Sequence, residues 1–136
     1  MSARVLIVDD NEDVRRILQT RLDLAGFHAV GAADGREGLL KLRGGSWDLV
    51  LLDLVMPELD GFEFLTELRA EPDAPPVVVM TQYDDAANRQ RALALGAARY
   101  VGKSHALDRG FVSTLRDWVG GTKPASPPRP KDPKKR

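Results

Sequence analysis

Cysteine is absent from the 136 residues, so neither a disulfide framework nor a cysteine-based zinc site is available. Histidine is scarce: His28 and His105 are the only two, one in a strand-like run and one near a helix start. Neither has metal-ligand company, and both read as bystanders. Long apolar runs are missing too, which excludes a bilayer-spanning helix. The opening MSARVLIVDD runs straight into a polar pair, unlike a signal peptide. A soluble cytoplasmic protein is expected. Formal net charge is zero, yet the charge is unevenly spread. Residues 1–122 carry 14 Lys+Arg against 19 Asp+Glu, and residues 123–136 carry six basic residues against one acidic. The body offers no nucleic-acid footprint, since the excess positive charge is confined to the last segment.

What is present is an alternation of short apolar runs with helix-like segments. ARVLIV (3–8), FHAVGAA (27–33), DLVLLD (48–53), PVVVMT (76–81) and ARYVG (98–102) read as five strands. After the first, Val14, Ile17, Leu18, Leu22 and Ala25 recur at helical spacing, with Asn11 placed to cap and Gly26 to stop the helix. Further helices are expected at 35–43, 60–71, 84–95 and 105–119, the last marked by Leu107, Phe111, Leu115 and Trp118. Five β-then-α units predict a doubly wound α/β domain. Strands that read as unbroken apolar runs fit a parallel sheet covered on both faces. One domain is expected over 1–121, large enough to bury a core unaided. The remaining 122–136, with five prolines and almost nothing apolar, is expected to be a disordered basic tail. Its overlapping PxxP spacings suit an aromatic-lined groove, but a solubilising tail is the preferred reading.

The polar residues fall at strand ends. Strand 1 ends in Asp9-Asp10, strand 3 in Asp53 and strand 4 in Thr81, and strand 5 runs into Lys103. Open parallel sheets bind ligands outside the carboxyl ends of their strands. If strands 1 and 3 are neighbours, Asp9, Asp10 and Asp53 share one pocket flanked by Thr81 and Lys103. Two carboxylates about 4 Å apart repel by about 4 kcal/mol at an effective dielectric near ~20. Either a proton is shared or a cation sits among them. Oxygen-only ligands in an open site favour Mg²⁺. A carboxylate there is also a competent nucleophile toward phosphorus. Phosphoryl transfer needs chiefly positioning and charge neutralisation, which the ion, Lys103 and Thr81 would supply.

This ordered set resembles the receiver domain of two-component response regulators over about residues 3–119. The resemblance rests on Asp9-Asp10, on Asp53 followed by Met56-Pro57 and Asp60-Gly61, on Thr81, and on Tyr100 with Lys103. It implies a flavodoxin-like sheet of order 2-1-3-4-5 with five helices, an order carried over from the family's chemotaxis regulator. It implies Asp53 as phosphoacceptor, and Mg²⁺ held by Asp10, Asp53 and the backbone carbonyl of Val55, with Asp9 acting through water. Lys103 and Thr81 would contact the phosphoryl group, and Tyr100 would swing inward as a switch. The implied donor is a histidine kinase or phosphotransfer protein. The implied output is protein–protein contact, with the helix 4–strand 5–helix 5 face available for a target or a homodimer. No DNA-binding domain is expected after Val119, unless the chain is a fragment of a longer regulator. The protein would catalyse only its own phosphorylation and slow dephosphorylation.

Departures from the family pattern are visible. Ser104 stands where proline usually follows the lysine, and Gln82 is large where a small residue is usual. Val55 and Tyr83 lie where the family tunes dephosphorylation, and neither positions a water, so a slow loss of phosphate is expected. Two other readings differ in class. A phosphorylation-independent docking module would keep the fold without the chemistry. A phosphatase of the haloacid dehalogenase type would need a second Asp two residues after its nucleophile, where Val55 stands.

Overall fold

The computed structural model describes residues 3–56, 60–82 and 86–121. Pro57, Tyr83, the first two residues of the helix expected at 84–95, and the tail expected at 122–136 lie outside the described residues. Five strands, β1 (Arg4–Val8), β2 (His28–Ala32), β3 (Leu49–Asp53), β4 (Val77–Thr81) and β5 (Arg99–Gly102), form one parallel sheet of order β2-β1-β3-β4-β5. Between them run α1 (Glu12–Leu24), α2 (Gly35–Arg43), α3 (Gly61–Arg69) and α4 (Ala86–Ala94). Each observed strand begins one residue later than its apolar run. Among the described residues no helix is long and apolar enough to cross a membrane.

Both faces of the sheet are covered, and the strand sequences show why. Successive side chains in a strand point to opposite faces. Leu6, Val8, Val50, Leu52, Val77 and Val79 join Phe64, Leu65, Leu68 and Ala92 from α3 and α4 in one core layer. Val5, Ile7, Leu49, Leu51, Val78 and Met80 join Val14, Leu18, Leu22, Phe111 and Leu115 in the other. A strand buried on both sides can alternate nothing but apolar residues, and each fully buried Leu, Val or Phe contributes roughly 1.5–3 kcal/mol.

The helices start where their capping residues stand. Asn11 Oδ1 accepts from the Val14 amide at 3.1 Å, and Asp34 Oδ1 from the Glu37 amide at 2.9 Å. Asp60 and Glu63 form a reciprocal capping box on α3, with contacts of 3.0 and 3.1 Å. Gly26 follows α1 with φ +97°, a conformation that suits glycine and ends the helix. On α1 the expected apolar stripe is narrower than its spacing implies. Val14, Leu18 and Leu22 are buried, whereas Ile17 is exposed at the margin.

The last expected helix is corrected. In place of one helix over 105–119 there are α5 (Lys103–Ala106), a turn, α6 (Phe111–Arg116) and a π-helical turn over Asp117–Gly121. Leu107, Phe111, Leu115 and Trp118 would align on one unbroken helix, but Ala106 and Phe111 are the residues that fill the core here. Five positions apart, they share a face only if the chain is reset between them. Gly110, with low helix propensity and no side chain to cap, is where the reset occurs. The described chain therefore has six α-helical segments rather than five.

Candidate functional site

Register brings the acidic strand ends together. Val8 pairs with Leu52 across β1 and β3, so Asp9 and Asp53 emerge side by side one residue further on. Asp53 pairs with Met80, and Thr81 pairs with Gly102, so Thr81 and Lys103 leave the same edge on the other side. Lys103 Nζ reaches back between the two acids. It lies 3.1 Å from Asp9 Oδ2 and 3.4 Å from Asp53 Oδ2, and donates to Asp9 Oδ1 at 3.3 Å. Asp9 is fully buried and Asp53 is 4% exposed. Asp10 is exposed.

Burial is costly for a carboxylate, and the site shows that cost. Desolvation, then repulsion from Asp9, pushes the Asp53 carboxyl up from 3.8 to about 6, against the opposing pull of Lys103 and the Val55 amide. That amide approaches Asp53 Oδ1 at 3.4 Å, a long contact. Burial alone draws the Lys103 ammonium down, but the charges of Asp53 and Asp9 outweigh it and hold the lysine above its ordinary value. One lysine among three aspartates leaves the site electrically unfinished.

A divalent ion fits this gap. Asp9, Asp10 and Asp53 each offer a carboxylate oxygen, and the three lie within 4.8 Å of one another. Asp9 Oδ2 is buried and receives no hydrogen bond, although Lys103 Nζ stands at ion-pair distance from it. An unsatisfied buried carboxylate oxygen is costly unless something cationic completes it. Hard oxygen donors alone suit magnesium, calcium or manganese.

The remaining expected residues surround this cluster at different depths. Thr81 is buried at the end of β4. Tyr100 sits two positions before Gly102 on β5. Its side chain is turned into the core layer beside α3 and α4, with the Arg89 guanidinium 5.0 Å from the ring centroid. Val55 and Gln82 are exposed. At Ser104 the Lys103–Ser104 peptide is trans, and α5 begins at Lys103. His28 and His105 are both exposed and stand outside the cluster; the His105 ring meets Phe111 edge-on at 6.0 Å.

Two supporting residues have roles that the sequence does not spell out. Arg15 on α1 donates through Nη1 to the backbone carbonyl of Asp9 at 2.8 Å. Gly61 opens α3 directly behind the end of β3. A Cβ there would lie 2.5 Å from Leu54 Cα and 2.8 Å from the Asp53 carbonyl oxygen. The Asp60-Gly61 pair reads as a turn in sequence; the closeness of the backbones is visible only in three dimensions.

Residues 5–112 match the family model of the response regulator receiver domain. A probable transcriptional regulator, ycf27, from Cyanophora paradoxa is 45% identical over 100 residues, covering 74% of this chain and 41% of that protein. The chain thus spans about two-fifths of the length of these curated ycf27 relatives. The chemotaxis protein CheY4 of Vibrio cholerae superposes with a TM-score of 0.81 at 29% identity, covering 88% of this chain and 99% of that one. The phosphorylated cyanobacterial phytochrome response regulator RcpA superposes with a TM-score of 0.79 at 27% identity, covering 93% and 100% respectively. With fold, strand-end acids and lysine all in agreement, the chain belongs to the response regulator receiver domain family of two-component signalling.

Proposed function

We propose that this receiver, taken as residues 1–121, is a signalling switch that accepts a phosphoryl group on Asp53 from a phosphohistidine of a kinase or phosphotransfer protein. The observation that carries the reading is the position of Asp53: buried at the end of β3, 3.4 Å from Lys103 Nζ, with two further acids beside it. A purely structural strand end has no use for that arrangement. Asp10, Asp53 and the Val55 carbonyl would hold Mg²⁺, with Asp9 contributing through water. When bound, the ion supplies positive charge opposite the phosphoryl oxygens.

The chain's own residues account for the rest. Asp53, pushed up to about 6, is mostly ionised at neutral pH and can attack phosphorus. The new bond joins Asp53 Oδ to phosphorus, and the bond to the donor imidazole breaks. Lys103 then exchanges its contact with Asp53 for one with a phosphoryl oxygen, and Thr81 donates its hydroxyl to another. Tyr100, already inward, occupies the space behind Thr81. Added negative charge at Asp53 shifts the population of the surface formed by α4, β5 and the α5–α6 segment, where an output partner or a second copy docks. The alternative, the receiver segment of a longer regulator, would use the same switch and is supported by the greater length of the curated relatives.

The test locates the modification. After incubation with phosphoramidate and Mg²⁺, borohydride reduction and peptide mapping should recover position 53 as homoserine. Label on another aspartate, or on none, overturns the assignment.

A further inference from the structure

We infer that Arg15 is a positioning residue for the divalent-cation site, and that Gly31 is glycine because Arg15 crosses over it. The inference rests on the cation reading above. The Asp9–Asp10 corner is held from several sides. The Asp9 amide donates to the Ala32 carbonyl at 3.1 Å, and the Asn11 amide donates to Asp9 Oδ1 at 2.9 Å. Arg15 Nη1 donates to the Asp9 carbonyl at 2.8 Å. Those contacts set the direction of the peptide on which Asp10 is carried. To reach that carbonyl from α1, the Arg15 side chain lies across β2. A Cβ at Gly31 would meet Arg15 Cδ at 3.2 Å and Gln19 Oε1 at 3.2 Å, tighter than ordinary packing. The neighbouring corner is braced in parallel, since Glu37 Oε1 accepts from the Ala33 amide at 2.7 Å.

Charge and positioning predict opposite signs, which makes the inference sharp. Arg15 is a cation on the acidic corner, so through-space electrostatics make its removal tighten cation binding. Loss of positioning makes the same removal weaken it. Groups that orient metal ligands typically change affinity by about tenfold or more when removed.

The test uses Mn²⁺ as probe, with free ion followed by electron paramagnetic resonance and Mg²⁺ as competitor. Arg15→Ala should bind Mn²⁺ about tenfold more weakly, whereas Arg15→Lys, which keeps a donor and the charge, should stay within about threefold. Gly31→Ala should weaken binding in the native background and have no effect on it in the Arg15→Ala background, because the Arg15 contact that links Gly31 to the Asp9 carbonyl is gone and the remaining Gln19 contact does not reach that corner. Urea unfolding with EDTA checks that the variants fold; if Arg15→Ala does not, Gly31→Ala and Arg15→Lys decide the matter. Equal or tighter binding by Arg15→Ala, or additive effects in the double variant, overturn the inference and leave the cation reading standing. No saturable Mn²⁺ binding by the native chain overturns both.

Discussion

Replacing Gly61 by alanine tests how tightly α3 is set behind Asp53. The added methyl would sit 2.5 Å from Leu54 Cα, 2.8 Å from the Asp53 carbonyl oxygen and 3.0 Å from Leu54 Cδ2. The first two are backbone atoms of the strand end and cannot rotate away. The start of α3 must therefore retreat by about 1 Å to regain ordinary carbon–carbon separations of roughly 3.5–4.0 Å. That retreat strains the hydrogen bond from the Gly61 amide to the Leu54 carbonyl, now 2.9 Å. Overpacking of this kind costs about 1–3 kcal/mol and a compromised backbone hydrogen bond about 1 kcal/mol more. Gly61→Ala should thus lower stability by about 2–4 kcal/mol, read as a shifted urea midpoint with unchanged slope. It should also slow phosphorylation of Asp53, because the displaced start of α3 is hydrogen-bonded to the Leu54 carbonyl, next to the residue that carries the carboxylate. A loss below about 0.5 kcal/mol, the range of an ordinary surface change, would refute the reasoning.

Two further outcomes follow from the site. In EDTA, Asp53→Asn should stabilise the protein by up to about 3 kcal/mol at neutral pH, since Asp53 titrates near 3.8 when unfolded and about 6 when folded. The folded native chain holds its proton longer, so its stability falls as pH rises through that window. The gain from Asn should vanish below it, and a pH-independent difference between the two proteins would contradict the assignment. The Val55 side chain carries no carboxylate or carboxamide to orient a water at Asp53. Loss of phosphate, followed by intact mass after donor removal, should be slow, and decay within seconds would contradict this.

The strands were legible because a doubly covered parallel sheet tolerates only apolar residues. VLIV, LVLL and VVVM stand out against polar flanks and locate β1, β3 and β4 within a residue. The acids at their ends were legible for the same reason, since Asp53 interrupts an apolar run with no local need. Convergence on Lys103 required the strand order, which came from resemblance rather than from periodicity. The broken C-terminal helix was not legible, because Leu107, Phe111, Leu115 and Trp118 keep a perfect helical spacing across Gly110. Only the burial of Ala106 in place of Leu107 reveals the reset. The roles of Arg15 and Gly61 were hidden for another reason: Asp60-Gly61 stands out as a turn, but a guanidinium on a carbonyl and a backbone approach leave no pattern in neighbouring residues.

Intact mass after incubation with acetyl phosphate, with and without Mg²⁺, on the native protein and on Asp53→Asn, tests the central claim most directly. The account predicts a gain of one phosphoryl mass on the native protein that requires Mg²⁺ and is lost in the variant. No gain under any condition, or an equal gain in Asp53→Asn, would contradict it.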